Sequence, residues 1–252
     1  NTLNGLTEDE KIGQLFFPIG FSTEKEYLNH LRSLGIGGLF FRPGVAEEVQ
    51  QTYEYMQRTS KVPLLTAANL EDGGNGSSIE GTAFGNQMAV AATNQTSDAY
   101  TLGKIASSEG KAVGVNFGFS PVVDLDLNFR NPITNVRTYG SDVERVIKNA
   151  KEYIQAFHDN GIMTSIKHFP GDGVDERDQH LLTSINSLSV DNWKKTFGKV
   201  YQELIDFGSK AVMVGHIAFP AYSGDEMPAT LSPQLLQDLL RNELGFNGLP
   251  IT

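Results

Sequence analysis

Short apolar runs alternate with longer amphipathic stretches along the whole chain. The runs at residues 12–19, 38–41, 63–68, 116–123, 162–168, 211–217 and 249–252 are bounded by Gly or Pro and are mostly apolar at successive positions. Strands buried on both faces read this way; a strand with one wet face alternates instead. Between the runs, apolar residues recur at helical spacing. Residues 23–34 follow Thr23 as an N-cap and stop before Gly35, and 46–60 carry Val49, Tyr53 and Met56 on one side. Residues 97–112 form the next helix. In 142–160, Val143, Val146, Ile147, Ala150, Ile154 and Phe157 make a continuous stripe that ends at Gly161. Residues 190–207 align Trp193, Phe197, Val200, Leu204 and Phe207, and a last helix opens at Ser232-Pro233 and closes at Gly245.

Strands alternating with helices predict a parallel sheet with the helices outside it. A flavodoxin-like open sheet usually needs fewer residues, and 252 residues suit a (β/α)8 TIM-type barrel. Seven strands are visible, so residues 1–252 are expected to form a single barrel domain that lacks its final strand and helix. Three long connections, 69–85, 125–141 and 171–188, follow the third, fourth and fifth strands. They fall on the carboxyl side of the sheet, the face of a barrel that holds active sites.

Composition narrows the function classes. Cys is absent, which removes disulfide scaffolds and thiolate metal sites. The apolar runs are too short to span a membrane. With 20 Lys and Arg against 30 Asp and Glu, the net charge of −10 argues against phosphate-backbone binding, so no nucleic-acid partner is expected. No basic segment with an apolar run after it opens the chain, so no signal peptide is expected, which leans towards the cytoplasm.

The densest chemistry lies in residues 167–180. Lys167 and His168 end a strand, and the loop beyond presents Asp172, Asp175, Asp178 and His180. Three readings fit the spacing. Asp178 and His180 stand two apart, so the carboxylate can hold the imidazole in one tautomer for acid–base work. Asp172, Asp175 and His180 supply oxygen and nitrogen ligands for a metal, although no zinc or EF-hand spacing is met. The third is a solvated acidic loop.

The run Lys167-His168-Phe169-Pro170-Gly171-Asp172-Gly173, followed by Asp178-Gln179-His180, resembles the signature of glycoside hydrolase family 3 in its β-N-acetylglucosaminidase branch. The resemblance extends along the whole chain. It includes Lys11-Ile12-Gly13-Gln14-Leu15, Ser120-Pro121-Val122-Val123-Asp124, Asn131-Pro132, Asn135-Val136-Arg137-Thr138-Tyr139-Gly140, Val212-Met213-Val214-Gly215-His216 and Gly245-Phe246-Asn247-Gly248-Leu249. It implies a retaining β-N-acetylhexosaminidase acting on a terminal β-linked N-acetylglucosamine, in a glycan, a peptidoglycan fragment or a chitin fragment. His180, oriented by Asp178, is then the acid/base, a departure from the usual pair of carboxylates. Arg137, Lys167 and His168 bind sugar hydroxyls. The family's Asp-x-Glu-Gly-Gly segment reads Asn69-Leu70-Glu71-Asp72-Gly73-Gly74 here, so Asn69 and Glu71 stand as the corresponding sugar contacts. Gln179 replaces a common Ser and is expected to point away from the dyad with little consequence. His216 either lines the pocket or satisfies a buried hydrogen bond, and Asp124 is expected to pair inside the barrel. Trp193 reads as core, and His30 and His158 as surface residues on helices.

The implied chemistry needs no cofactor and no metal. Two other functions stay open: a family 3 β-glucosidase or xylosidase, and a sugar-binding relative without catalysis. The family's nucleophilic Asp is expected just after Thr252. The 252-residue chain alone is therefore predicted to turn over no aryl N-acetyl-β-glucosaminide, and adding its downstream residues to restore cleavage; full activity of the 252 residues contradicts this.

Overall fold

The apolar runs become strands that lie side by side in chain order. A computed structural model describes residues 2–252. Its strands are β1 (Ile19–Gly20), β2 (Gly38–Phe41), β3 (Leu65–Ala68), β4 (Phe117–Gly118), β5 (Met163–Phe169), β6 (Ser184–Ile185), β7 (Ala211–Val214), β8 (Ile217–Ala218) and β9 (Leu249–Ile251). All but β6 and β8 form one sheet in the order β1-β2-β3-β4-β5-β7-β9, and every pairing is parallel. β6 and β8 make a separate two-stranded parallel ribbon.

The helices are α1 (Glu8–Gly13), α2 (Lys25–Ser33), α3 (Ala46–Thr59), α4 (Gln87–Ala92), α5 (Thr96–Ala112), α6 (Val143–Asp159), α7 (Val190–Lys195), α8 (Phe197–Asp206) and α9 (Pro220–Ser223). A tenth, Gln234–Glu243, is wound loosely: the Leu244 N–H reaches back five residues to the Leu239 carbonyl at 2.9 Å. The larger core lies between helices and sheet. It takes in Tyr53 and Met56 of α3, Ile154 and Phe157 of α6, and Val200 and Leu204 of α8. These are the residues that the helical spacing places on one face.

A second, smaller core shows that the sheet curls. Ala67, Phe117, Phe119 and Ala211 pack with Phe17, Phe40, Leu65, Met163, Met213 and Ile251. The cluster runs across successive strands from β2 to β9, and Phe17, just before β1, reaches Phe117 of β4 three strands away, so the inner face wraps round on itself. The rings of Phe17 and Phe117 lie 6.1 Å apart, those of Phe40 and Phe119 5.6 Å. This is the filled interior of a barrel, of which seven strands lie within the described residues.

Several boundaries differ from the sequence expectation. The run 12–19 is not one strand. Thr7 and Glu10 form a reciprocal capping box, which starts α1 and takes residues 12 and 13 into it. β1 is left with Ile19–Gly20, and Leu15 stays 83% exposed. α2 is capped by Glu24 without a side-chain bond, not by Thr23. Run 116–123 pairs continuously only at Phe117–Gly118, because Pro121 has no N–H to offer; Val122 bridges to Lys167 beyond it. Run 211–217 divides between β7 and β8. The single helix expected over 190–207 breaks at Thr196, whose hydroxyl bonds the carbonyls of Asn192 and Trp193. α7 thereby turns Trp193 inward, where Nε1 donates to the Pro170 carbonyl at 2.7 Å. α4 was not expected; its signal was Asn86, whose side chain caps Ala89 N.

Candidate active site

The strands deliver polar side chains to the carboxyl side of the sheet, where the three long loops add Glu71, Arg137 and Asp172. β5 carries Lys167 and His168 just before its last residue, Phe169. The β5–β7 register shifts between Lys167 and Phe169, so these consecutive side chains are released from strict alternation between faces. Both are buried, Lys167 at 2% exposure.

A buried ammonium needs a counter-charge. Glu71, two residues beyond Asn69 in the loop after β3, supplies it. Its Oε1 lies 2.7 Å from Lys167 Nζ, and the Arg137 guanidinium takes both oxygens in a fork, Nε to Oε2 and Nη2 to Oε1, each at 2.8 Å. Burial alone would raise the Glu71 carboxyl. The Lys167 and Arg137 cations overcome it and hold the group well below the usual carboxylate range. Glu71 thus serves as counter-ion to both cations. Asn69 is exposed at the end of β3 and accepts from Lys167 Nζ at 3.1 Å.

His168 is fixed by Asp124. Asp124 Oδ2 meets His168 Nδ1 at 2.7 Å, and Oδ1 accepts the backbone N–H of His168 at 3.0 Å and of Asp172 at 2.8 Å. Asp124 therefore pairs within the barrel, and His168 keeps Nε2 for other partners. Asp172 is buried and accepts from Asn131 Nδ2 at 2.8 Å, Gly173 N at 2.7 Å and Gln179 Nε2 at 2.6 Å. Burial first, and then the neighbouring Asp124, push its carboxyl up. Asn131 also accepts at Oδ1 from Ile133 N and Thr134 N of its own loop, while its Nδ2, donating to Asp172 and to the Asp175 carbonyl, ties the loop after β4 to the loop after β5. Sequence reasoning singled out neither Asn131 nor Asp172 as part of this floor. The Asn-Pro and Gly-Asp-Gly runs were the available signals.

Asp178 and His180 meet as their spacing suggests. Asp178 Oδ1 accepts the His180 backbone N–H at 2.9 Å and faces its Nδ1 at 2.7 Å. These two contacts lower the Asp178 carboxyl. The His180 side chain is 62% exposed, so Nε2 faces away from Asp178 on an open loop. His216 is exposed, with Nδ1 at 3.1 Å from Thr230 Oγ1 and its backbone N–H donated to Gln179. The second reading of the loop, as metal ligands, finds little room. Asp175 accepts from Glu176 N and Ile185 N, Asp172 is taken up as above, and no three His, Asp or Glu converge on a metal position among the described residues.

A rigid set of donors beneath an exposed Asp–His pair suits a polyol whose leaving oxygen must be protonated. Residues 7–252 match the model of the glycosyl hydrolase family 3 N-terminal domain. The chain belongs to that family. Over its full length it is 47% identical to a beta-N-acetylglucosaminidase/beta-glucosidase of Cellulomonas fimi, of which the match covers 46%. Among solved structures, the beta-glucoside phosphorylase BglX bound to 2FGlc superimposes with a TM-score of 0.94 at 44% identity, over 99% of this chain and 47% of that one. A family 3 beta-N-acetylglucosaminidase from Paenibacillus sp. str. FPU-7 gives 0.91 at 29% identity, over 97% and 48%. The chain spans less than half the length of these relatives.

The charge balance of this family 3 barrel is testable by folding. Glu71→Gln leaves two cations without an anion and is expected to cost about 3 kcal/mol at neutral pH. A depressed carboxyl adds stability above its unfolded value and loses it as pH falls through its folded value. The gap between parent and variant, read by denaturant unfolding, should therefore narrow as pH drops below about 4.3. A gap that is constant down to acid unfolding contradicts the assignment.

Proposed function

We propose that this barrel carries the sugar-binding floor and the acid/base of a retaining glycosidase that removes terminal β-linked N-acetylglucosamine. The observation that carries this is the Asp178–His180 pair, built into an exposed loop next to a buried floor of fixed donors. Lys167, Arg137 and His168 Nε2 bind hydroxyls of the sugar. Their positions are set by Glu71 and Asp124, so little ordering remains when the sugar arrives. His180 gives its Nε2 proton to the glycosidic oxygen as the bond from the anomeric carbon breaks. A carboxylate, expected from sequence just after Thr252, forms the covalent bond to that carbon. His180 then takes a proton from the water that releases the sugar. Asp178 keeps Nδ1 as its partner throughout and stabilises the imidazolium.

A second reading has one observation in its favour. The superimposing BglX is named as a beta-glucoside phosphorylase. The same floor and dyad then serve a β-glucoside, with phosphate rather than water as acceptor.

The test uses the natural full-length polypeptide on matched aryl N-acetyl-β-glucosaminide and aryl β-glucoside, with and without phosphate. The N-acetylglucosaminide is expected to be cleaved faster, and His180→Ala to lower cleavage by about 10²-fold or more. A faster glucoside, accelerated by phosphate, favours the second reading. An unaffected His180→Ala contradicts both.

A further inference from the structure

Gln179 separates the two members of the dyad yet faces the opposite way. It is 5% exposed, while the imidazole beside it stands largely in solvent. Its amide is used at both ends. Nε2 donates to Asp172 Oδ2 at 2.6 Å, and Oε1 accepts the His216 backbone N–H at 3.0 Å. The neighbouring Gly215 leaves the space this needs: a Cβ there would lie 2.6 Å from Gln179 Oε1.

These contacts differ in kind from those of the dyad. The bonds between Asp178 and His180 are local, as are those from Leu181 N and Leu182 N to the Asp178 carbonyl. They fix the imidazole to its own loop, but they cannot fix the loop to the sheet. Leu181 and Leu182 are exposed and anchor nothing. Gln179 reaches across to two other segments, the start of the loop after β5 and the backbone beyond β7. Asp172 is itself held by Asn131, and its N–H by the same Asp124 that holds His168. A continuous chain of hydrogen bonds thus runs from His168 through Asp124 and Asp172 to Gln179.

We propose that Gln179 is a positioning residue for the acid/base: by tethering its loop to Asp172 and to the His216 backbone, it sets how far His180 stands from the glycosidic oxygen. The proposal rests on the assignment of His180 above. Protonation needs hydrogen-bond reach, and a displacement of about 1 Å can cost on the order of 10²-fold in rate. The tether therefore matters where the leaving group needs a proton and hardly at all where it does not.

The experiment follows from that difference. In the full-length polypeptide, kcat/KM is measured on two aryl glycosides of whichever sugar is cleaved faster. One has a dinitrophenyl leaving group, which departs unaided; the other has an unactivated phenyl group. Gln179→Met keeps the length and removes both hydrogen bonds. Gln179→Glu keeps the acceptor but sets a carboxylate against Asp172, and serves if the first variant fails to fold. His180→Ala runs beside them. The expected result is a loss of about 10-fold or more on the phenyl glycoside, with the dinitrophenyl glycoside near the parent rate. Equal losses on both substrates would show a merely structural role and overturn the proposal. So would parent rates on both while His180→Ala still discriminates the leaving groups; in that case the acid/base assignment survives. If His180→Ala itself does not discriminate, the acid/base assignment fails, and the tether with it.

Discussion

Lys167 sits at the mouth of the barrel with its charge almost wholly out of water, and everything around it is arranged to make that tolerable. Removing an ammonium from water costs several kcal/mol unless an anion is held against it. Glu71 is that anion, and Arg137 completes the triad by gripping both of its oxygens. The carboxylate comes from the loop after β3, the guanidinium from the loop after β4 and the ammonium from β5. One electrostatic requirement therefore fixes three segments at once. Two cations share that one carboxylate, an excess of one positive charge, so donors remain for an incoming hydroxyl. A site that binds a neutral sugar by donation needs this combination of fixed geometry and spare donors.

Asp124 does the same work for the segment after β5. One carboxylate accepts from the His168 ring, from its backbone and from Asp172 N, which sets the turn after β5. The floor of the site is accordingly rigid, whereas the loop that carries His180 departs from it into solvent. The proposed role of His180 on this open loop needs a compromise: enough freedom to admit the sugar, and enough restraint to place a proton. The buried amide of Gln179 provides restraint without covering the imidazole.

The fold was legible because it depends on periodicity. Helical stripes such as Val146, Ile154 and Phe157 have few other ways to be buried, and short two-faced apolar runs point to a parallel sheet. The errors lie where a local contact outweighs the run. The Thr7–Glu10 capping box overrode an apolar stretch, and the Thr196 hydroxyl broke an otherwise continuous helix. The site divides along the same line. Asp178 and His180 are two residues apart, so their pairing follows from the spacing. Glu71, Arg137 and Lys167 are brought together from distant parts of the chain, and no spacing rule connects them; only family resemblance drew them to one place. The resemblance implies a sugar contact at Glu71 and says nothing of the ion pairs that this residue makes. Its role as counter-ion depends on which cations reach it, and that is a property of the packed structure. Gln179 was discounted because it points away from the dyad, and that is the direction in which its partners lie.

The most direct test of the central claim, that Glu71 serves as counter-ion while the cations it holds face the substrate, is a crystal structure of the full-length polypeptide with the sugar bound. The account predicts sugar hydroxyls within about 3 Å of Lys167, Arg137 and His168 Nε2, the ordinary hydrogen-bond range, with Glu71 still bridging the two cations. A sugar held by the Glu71 carboxylate itself, with Arg137 or Lys167 swung away, contradicts it.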